Sequence, residues 1–159
     1  MMRPRSAAWI VALMGTVLLA ASASVSCGDG DETGPAGTKV GPLEITEAYA
    51  HAVMDGGAVY LTVKNTGQTD DALIGASTEV AGNVTLHRTV TEGATTRMEP
   101  VDRIEIPAKG ETTLQPGGYH LMLMELKEEL EAGDTIGVEL IFESAGSVTM
   151  RVPVTPYGE

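Results

Sequence analysis

The chain has 159 residues, 43% of them hydrophobic but only 4% aromatic, with 22 Asp and Glu against 10 Lys and Arg. That length suits one domain, and the formal charge of −12 excludes nucleic acid and anionic lipid surfaces as electrostatic partners. Cys27 is the single cysteine, so no disulfide framework can form within the chain.

Residues 1–26 read as an export signal. Arg3 and Arg5 form a basic start, and an uncharged, mostly apolar run from Ala7 to Ala23 follows. That run is short of the ~20 residues a spanning helix needs. Small residues, "SASVSC", close the segment as a cleavage site would. Cys27 at this point suggests lipid attachment, although Ser24 stands where a bacterial lipobox usually has leucine. A plain secretory signal with a leftover thiol is the alternative. Arg3 and Arg5 precede Cys27 and no acidic residue does, so the chain from Cys27 onward carries 8 basic against 22 acidic residues, a formal charge of −14. Residues 27–41, including "GDGDETGPAGTKVG", are rich in Gly, Asp, Thr and Pro and read as a lipid-anchored flexible tether. Residues 42–154 read as the folded domain and 155–159 as a C-terminal tail.

Within the domain, strand-like runs alternate with turn signals. In chain order they are "LEITEAYA", "AVYLTVKN", "DALIGAST", "NVTLHRTV", "TTRMEPV", "RIEIP", "TTLQ", "YHLMLMEL", "IGVELIFE" and "VTMRVPV". "LKEELEAGD" offers one helical turn at most. Pro116-Gly117 fits the centre of a type II turn, with proline fixing φ and glycine accepting a positive φ. Many short strands with an aliphatic interior predict an all-β sandwich or barrel.

"YHLMLMEL" carries the chemistry. Strand alternation puts His120, Met122 and Met124 on one face and Tyr119, Leu121 and Leu123 on the other, toward the core. Four residues make a spaced set: His87, ten residues, Met98, twenty-one residues, His120, one residue, Met122. Imidazole and thioether are neutral ligands, and the soft sulfur favours Cu(I). Methionine also resists the oxidation that consumes thiols outside the cytosol. A single methionine in a strand is usually core filler, and Met150 is read that way; Met124 shares the face of Met122 and could be a spare ligand, with core packing the favoured reading. His51 and Met54, three apart in "AHAVMDGG", are a weak candidate for a second site.

The spacing H-x10-M-x21-H-x-M, with "GASTEVAGNVTLH", "IEIPAKGETTLQPGGYHLMLMEL" and "VELIFESAGSVTMRVPV", closely resembles the PCu(A)C family of bacterial copper chaperones. The similarity runs from about Tyr60 to Val154. It implies a cupredoxin-like, immunoglobulin-like β-sandwich or barrel. It implies Cu(I) held by His87, Met98, His120 and Met122. It also implies a part in delivering copper to the binuclear copper centre of cytochrome c oxidase, through oxidase subunit II, a Sco-type thioredoxin-fold protein, or both. On this reading the protein is not an enzyme. It is exported, periplasmic or at the outer surface, and touches the membrane only through an anchor on Cys27. His120 and Met122 are expected at an exposed edge of the scaffold, and His87 near the end of a strand. An electron-transfer cupredoxin is excluded, since it needs a thiolate beside its histidines. A hydrolytic zinc enzyme is excluded because the three-ligand pattern is missing. Two alternatives stay open: a copper scavenger or storage lipoprotein, and a metal-free immunoglobulin-like lipoprotein that binds a protein partner.

Overall fold

The structure is a computed structural model that describes residues 37–53 and 56–156. The expected anchor at Cys27 and the methionine Met54 lie outside these residues. The described part is all β: β1 (Thr38–Val40), β2 (Leu43–Val53), β3 (Gly56–Asn65), β4 (Asp71–Thr78), β5 (Ala81–Glu92), β6 (Thr95–Pro100), β7 (Ile104–Ile106), β8 (Glu111–Leu114), β9 (Tyr119–Leu126), β10 (Thr135–Phe142) and β11 (Gly146–Pro153). β1 falls in the stretch read as tether and pairs with the start of β2, Thr38 opposite Ile45, so sheet structure begins earlier than Pro42. "LKEELEAGD" forms no helix; it is a turn that buries Leu130.

Two sheets make an open sandwich rather than a closed barrel. The larger runs β1-β2-β3-β8-β9-β5-β6 and the smaller β11-β10-β4-β7. Between them lies one aliphatic core, with Val59, Leu61, Leu121 and Leu123 from the large sheet facing Leu73, Val138, Leu140 and Val152 from the small one. Each such side chain, fully buried, contributes about 1.5–3 kcal/mol. One buried acid serves the fold. The Asp71 carboxylate accepts hydrogen bonds from the backbone N–H groups of Ala72 (2.8 Å), Ser144 (2.9 Å) and Ala145 (2.9 Å), pinning the β10–β11 turn to β4.

β8 and β9 share one edge of β3, since Leu114 pairs with Leu61 and Leu121 with Val59. They are one strand interrupted by the excursion Gln115–Gly118. This excursion is the predicted type II turn: Gly118 N–H donates to Gln115 C=O at 2.9 Å, and Gly117 has φ +80°. β9 also needs a close neighbour. A Cβ on Gly56 would come within 2.6 Å of the Leu123 carbonyl oxygen, so only glycine lets β3 approach there.

Candidate metal centre

The alternation read from "YHLMLMEL" holds. Leu121 and Leu123 are fully buried in the core, with Tyr119 packed against it. His120, Met122 and Met124 therefore point away from the core. β9 pairs with β5 so that His87 lies opposite His120 and Thr85 opposite Met122. β5 pairs with β6 so that Thr89 lies opposite Met98 and His87 opposite Pro100. Directly opposed residues share a face, as do residues two apart on a strand. All four sequence-predicted ligands thus stand on the outer face of the large sheet.

They are not equally close. The rings of His87 and His120 have centroids 5.7 Å apart. Met122 and Met98 lie on opposite diagonals from His87, a spacing still within reach of long side chains. On a flat sheet the Met98 and Met122 Cα atoms would be about 17 Å apart, from a rise of ~3.4 Å and a strand spacing of ~4.8 Å. The structure therefore brings the rings of His87 and His120 together, with Met122 two residues along β9 on the same face, and leaves Met98 to one side, 59% exposed on the edge strand β6. Ion pairs brace the same hairpin, across the strands from Arg97 to Glu92 at 2.6 Å and from Arg88 to Glu99 at 3.5 Å, and along β6 from Arg97 to Glu99 at 2.9 Å.

Three expectations need correction. β9 is an inner strand, between β3 and β5, so His120 and Met122 are not at a sheet edge. His120 is only 3% exposed, screened by the neighbouring rings of His87 and Tyr60. His87 sits in the middle of a twelve-residue strand rather than near its end. Met124 is 43% exposed and so is not core filler, whereas Met150 is buried as expected.

The protonation pattern follows from the backbone. The Gly118 carbonyl accepts from Thr89 N–H at 3.0 Å and from His120 Nδ1 at 3.3 Å. With the proton on Nδ1, His120 Nε2 carries a lone pair. That atom and His87 Nδ1 are the two buried side-chain nitrogens or oxygens, among the described residues, that have no hydrogen-bond partner. Each such orphan costs about 1–3 kcal/mol. A cation bonded by both would remove the cost, and 5.7 Å between centroids leaves room for two bonds of roughly 2.0–2.1 Å, the length imidazole takes to zinc. Burial, and then the charge of a protonated His120 beside it, hold the His87 imidazole below its ordinary value of 6.5. Both effects favour the neutral ring that a metal requires.

Among the described residues, no three His, Cys, Asp or Glu side chains converge as a metal cage. The face offers thioether as well as imidazole, and that donor set suits a soft monovalent ion. His51 belongs elsewhere. Its Nδ1 donates to the Thr155 carbonyl at 3.0 Å, and its ring packs on Tyr49 and Tyr60 at 5.1 and 5.8 Å. Sequence reading missed this aromatic row and the part of Gly118. The row was visible only as spacing, with Tyr49 and His51 two apart on one strand.

Fold and face together define a class: a small all-β domain that presents paired imidazoles and thioethers on the outside of a sandwich. The profile of the family described as "Putative lipoprotein LpqE-like" matches residues 43–154, and the chain belongs to that family. A protein of Leifsonia xyli subsp. xyli (strain CTCB07), named "Putative lipoprotein Lxx21020", is 37% identical over 123 residues, covering 76% of this chain and 74% of its own. The copper-bound PCuAC domain from PmoF2 is 26% identical, with a TM-score of 0.65 over 76% of this chain and 97% of that one. The solution structure of CuI-DR1885 from Deinococcus radiodurans is 30% identical, with a TM-score of 0.61 over 77% of this chain and 83% of that one. The resemblance to PCu(A)C proteins and the all-β sandwich expected from the sequence are both borne out.

Proposed function

We propose that this protein is an extracytoplasmic Cu(I) chaperone, anchored through a lipidated Cys27, that delivers copper for assembly of the binuclear copper centre of cytochrome c oxidase. The observation that carries the copper reading is the pair of buried, unpartnered nitrogens, His87 Nδ1 and His120 Nε2, on the same sheet face as Met122. His87, His120 and Met122 form the inner part of the site. Met98 completes it by swinging in from the edge. Similarity to domains whose structures contain copper supports the same ion here.

All four ligands are neutral, so the filled site keeps the single positive charge of Cu(I). The protein acts by binding and release, without a chemical step. Four neutral donors hold Cu(I) less tightly than a thiolate pair does, so transfer to a Cys-bearing acceptor runs downhill. Oxidase subunit II and Sco-type thioredoxin-fold proteins are the proposed acceptors. The deciding experiment has two parts. X-ray absorption on the Cu(I) form should show nitrogen and sulfur in the first shell. Mixing that form with each purified acceptor should move the metal. A sulfur-free shell would remove the copper site, and copper that stays put before both acceptors would leave a storage protein.

A further inference from the structure

Met124 has no place in the four-ligand set, yet it stands on the same face as His120 and Met122 and is 43% exposed. Its sulfur is directed. Thr85 Oγ1 donates to Met124 Sδ at 3.8 Å, and Thr85 is the residue directly opposite Met122 and two before His87. The sulfur therefore leans back along the face, toward the row of Met122, instead of following its own Cα outward. It is also the last residue of this face. Glu125 takes a φ of +55°, which breaks the alternation directly after Met124.

An exposed thioether on the same face as the two imidazoles, turned by its contact with Thr85 toward the strand positions of Met122 and His87, is placed for exchange rather than for storage. We infer that Met124 is an outer sulfur contact through which Cu(I) enters and leaves the site. In the step, a Cu–S bond to Met124 forms as one bond of the inner set opens. The ion stays Cu(I), and no proton moves because every donor is neutral. The ion is then three- or four-coordinate throughout, and no stage leaves it stripped of ligands. Met124 lowers the barrier in both directions equally, so it changes rates and not equilibrium affinity. This rests on the copper reading above.

The test is stopped-flow transfer of Cu(I) between the protein and bathocuproine disulfonate, followed in both directions, with the equilibrium position measured separately. Met124→Leu keeps bulk and removes the sulfur. It should slow loading and release alike by about tenfold, one decade being 1.36 kcal/mol of barrier, and leave the equilibrium unchanged. Thr85→Val, which frees the sulfur, should slow both by less. Unchanged rates in Met124→Leu would overturn the inference while leaving the copper site standing. Weaker equilibrium binding with faster release would also overturn it, by making Met124 a resident ligand. A wild-type protein that takes no Cu(I) would overturn the copper reading and this inference together.

Discussion

His87 and His120 face one another across the β5–β9 ladder, their rings 5.7 Å apart and each holding one buried nitrogen without a partner. Two imidazoles so placed cannot both be charged without repulsion, and burial already favours the neutral form of His87. The sign of the pH effect follows. His87 binds its proton less readily folded than unfolded, so its contribution to apo-protein stability is present above about pH 6.5. It is lost as pH falls through the lower folded value, and levels off below it. Cu(I) binding competes with the same proton. Affinity should be flat from pH 8 to near 6.5 and decline below, because thioethers do not titrate. Competition titrations across this range check it, and a decline that starts well above pH 7 contradicts it.

The methionines separate binding from folding. Met98→Leu alters an exposed side chain and should change stability by no more than ~0.5 kcal/mol. Met122→Leu conserves volume and should cost less than about 1.5 kcal/mol. Each should weaken Cu(I) strongly, and the double variant should abolish the sulfur signal in X-ray absorption. Met150→Leu, in the core and far from the imidazoles in the ladder, is the control that binds normally.

His51 separates them the other way. His51→Ala removes a buried ring and its hydrogen bond to the Thr155 carbonyl. Urea unfolding should show a loss of about 1–3 kcal/mol, with Cu(I) affinity unchanged at pH 7.5. A lost affinity in a variant of intact fold would make His51 part of the metal centre.

Gly117 links turn to ligand. Its φ of +80° is one that alanine adopts at a cost of roughly 1–2 kcal/mol. The turn aims the Gly118 carbonyl that fixes the His120 tautomer. Gly117→Ala should therefore lower both stability and Cu(I) affinity, and the His120 ring nitrogens should shift in NMR spectra. Gly93, which also has positive φ but lies in the β5–β6 turn, is the comparison; Gly93→Ala should lower stability without moving those signals.

The apo-protein should be folded. The aliphatic core closes without metal, so copper adds stability by mass action and does not create the fold. Far-UV circular dichroism should be β-dominated with or without Cu(I). An apo spectrum of an unfolded chain refutes this.

Period and spacing carried much of this into view from the sequence. Alternation sorted "YHLMLMEL" correctly because Leu121 and Leu123 must be buried, and a strand has only two faces. Pro116-Gly117 declared its turn because few residues accept that backbone. What remained hidden depends on which strand lies beside which. That His87 faces His120 and that β9 is internal are properties of pairing between segments more than thirty residues apart, and Met98 stands apart from Met122 because β5 lies between their strands. Local composition does not encode them. Met124 was half legible: alternation already put it on the face away from Leu121 and Leu123, but methionine fills cores so readily that packing was favoured over position.

The hydrogen bonds of residue 155 have a consequence for the order in which the molecule is completed. Thr155 N–H donates to Ala50 C=O at 2.8 Å, and the Thr155 carbonyl receives His51. The upper half of β2, from the large sheet, is thereby tied to the segment that follows β11 of the small one. Partners about a hundred residues apart meet late, because the loop between them must first be closed. That margin of β2 therefore stays open until the segment after β11 docks, so the two sheets are stitched together at Ala50 and His51 only once both have formed.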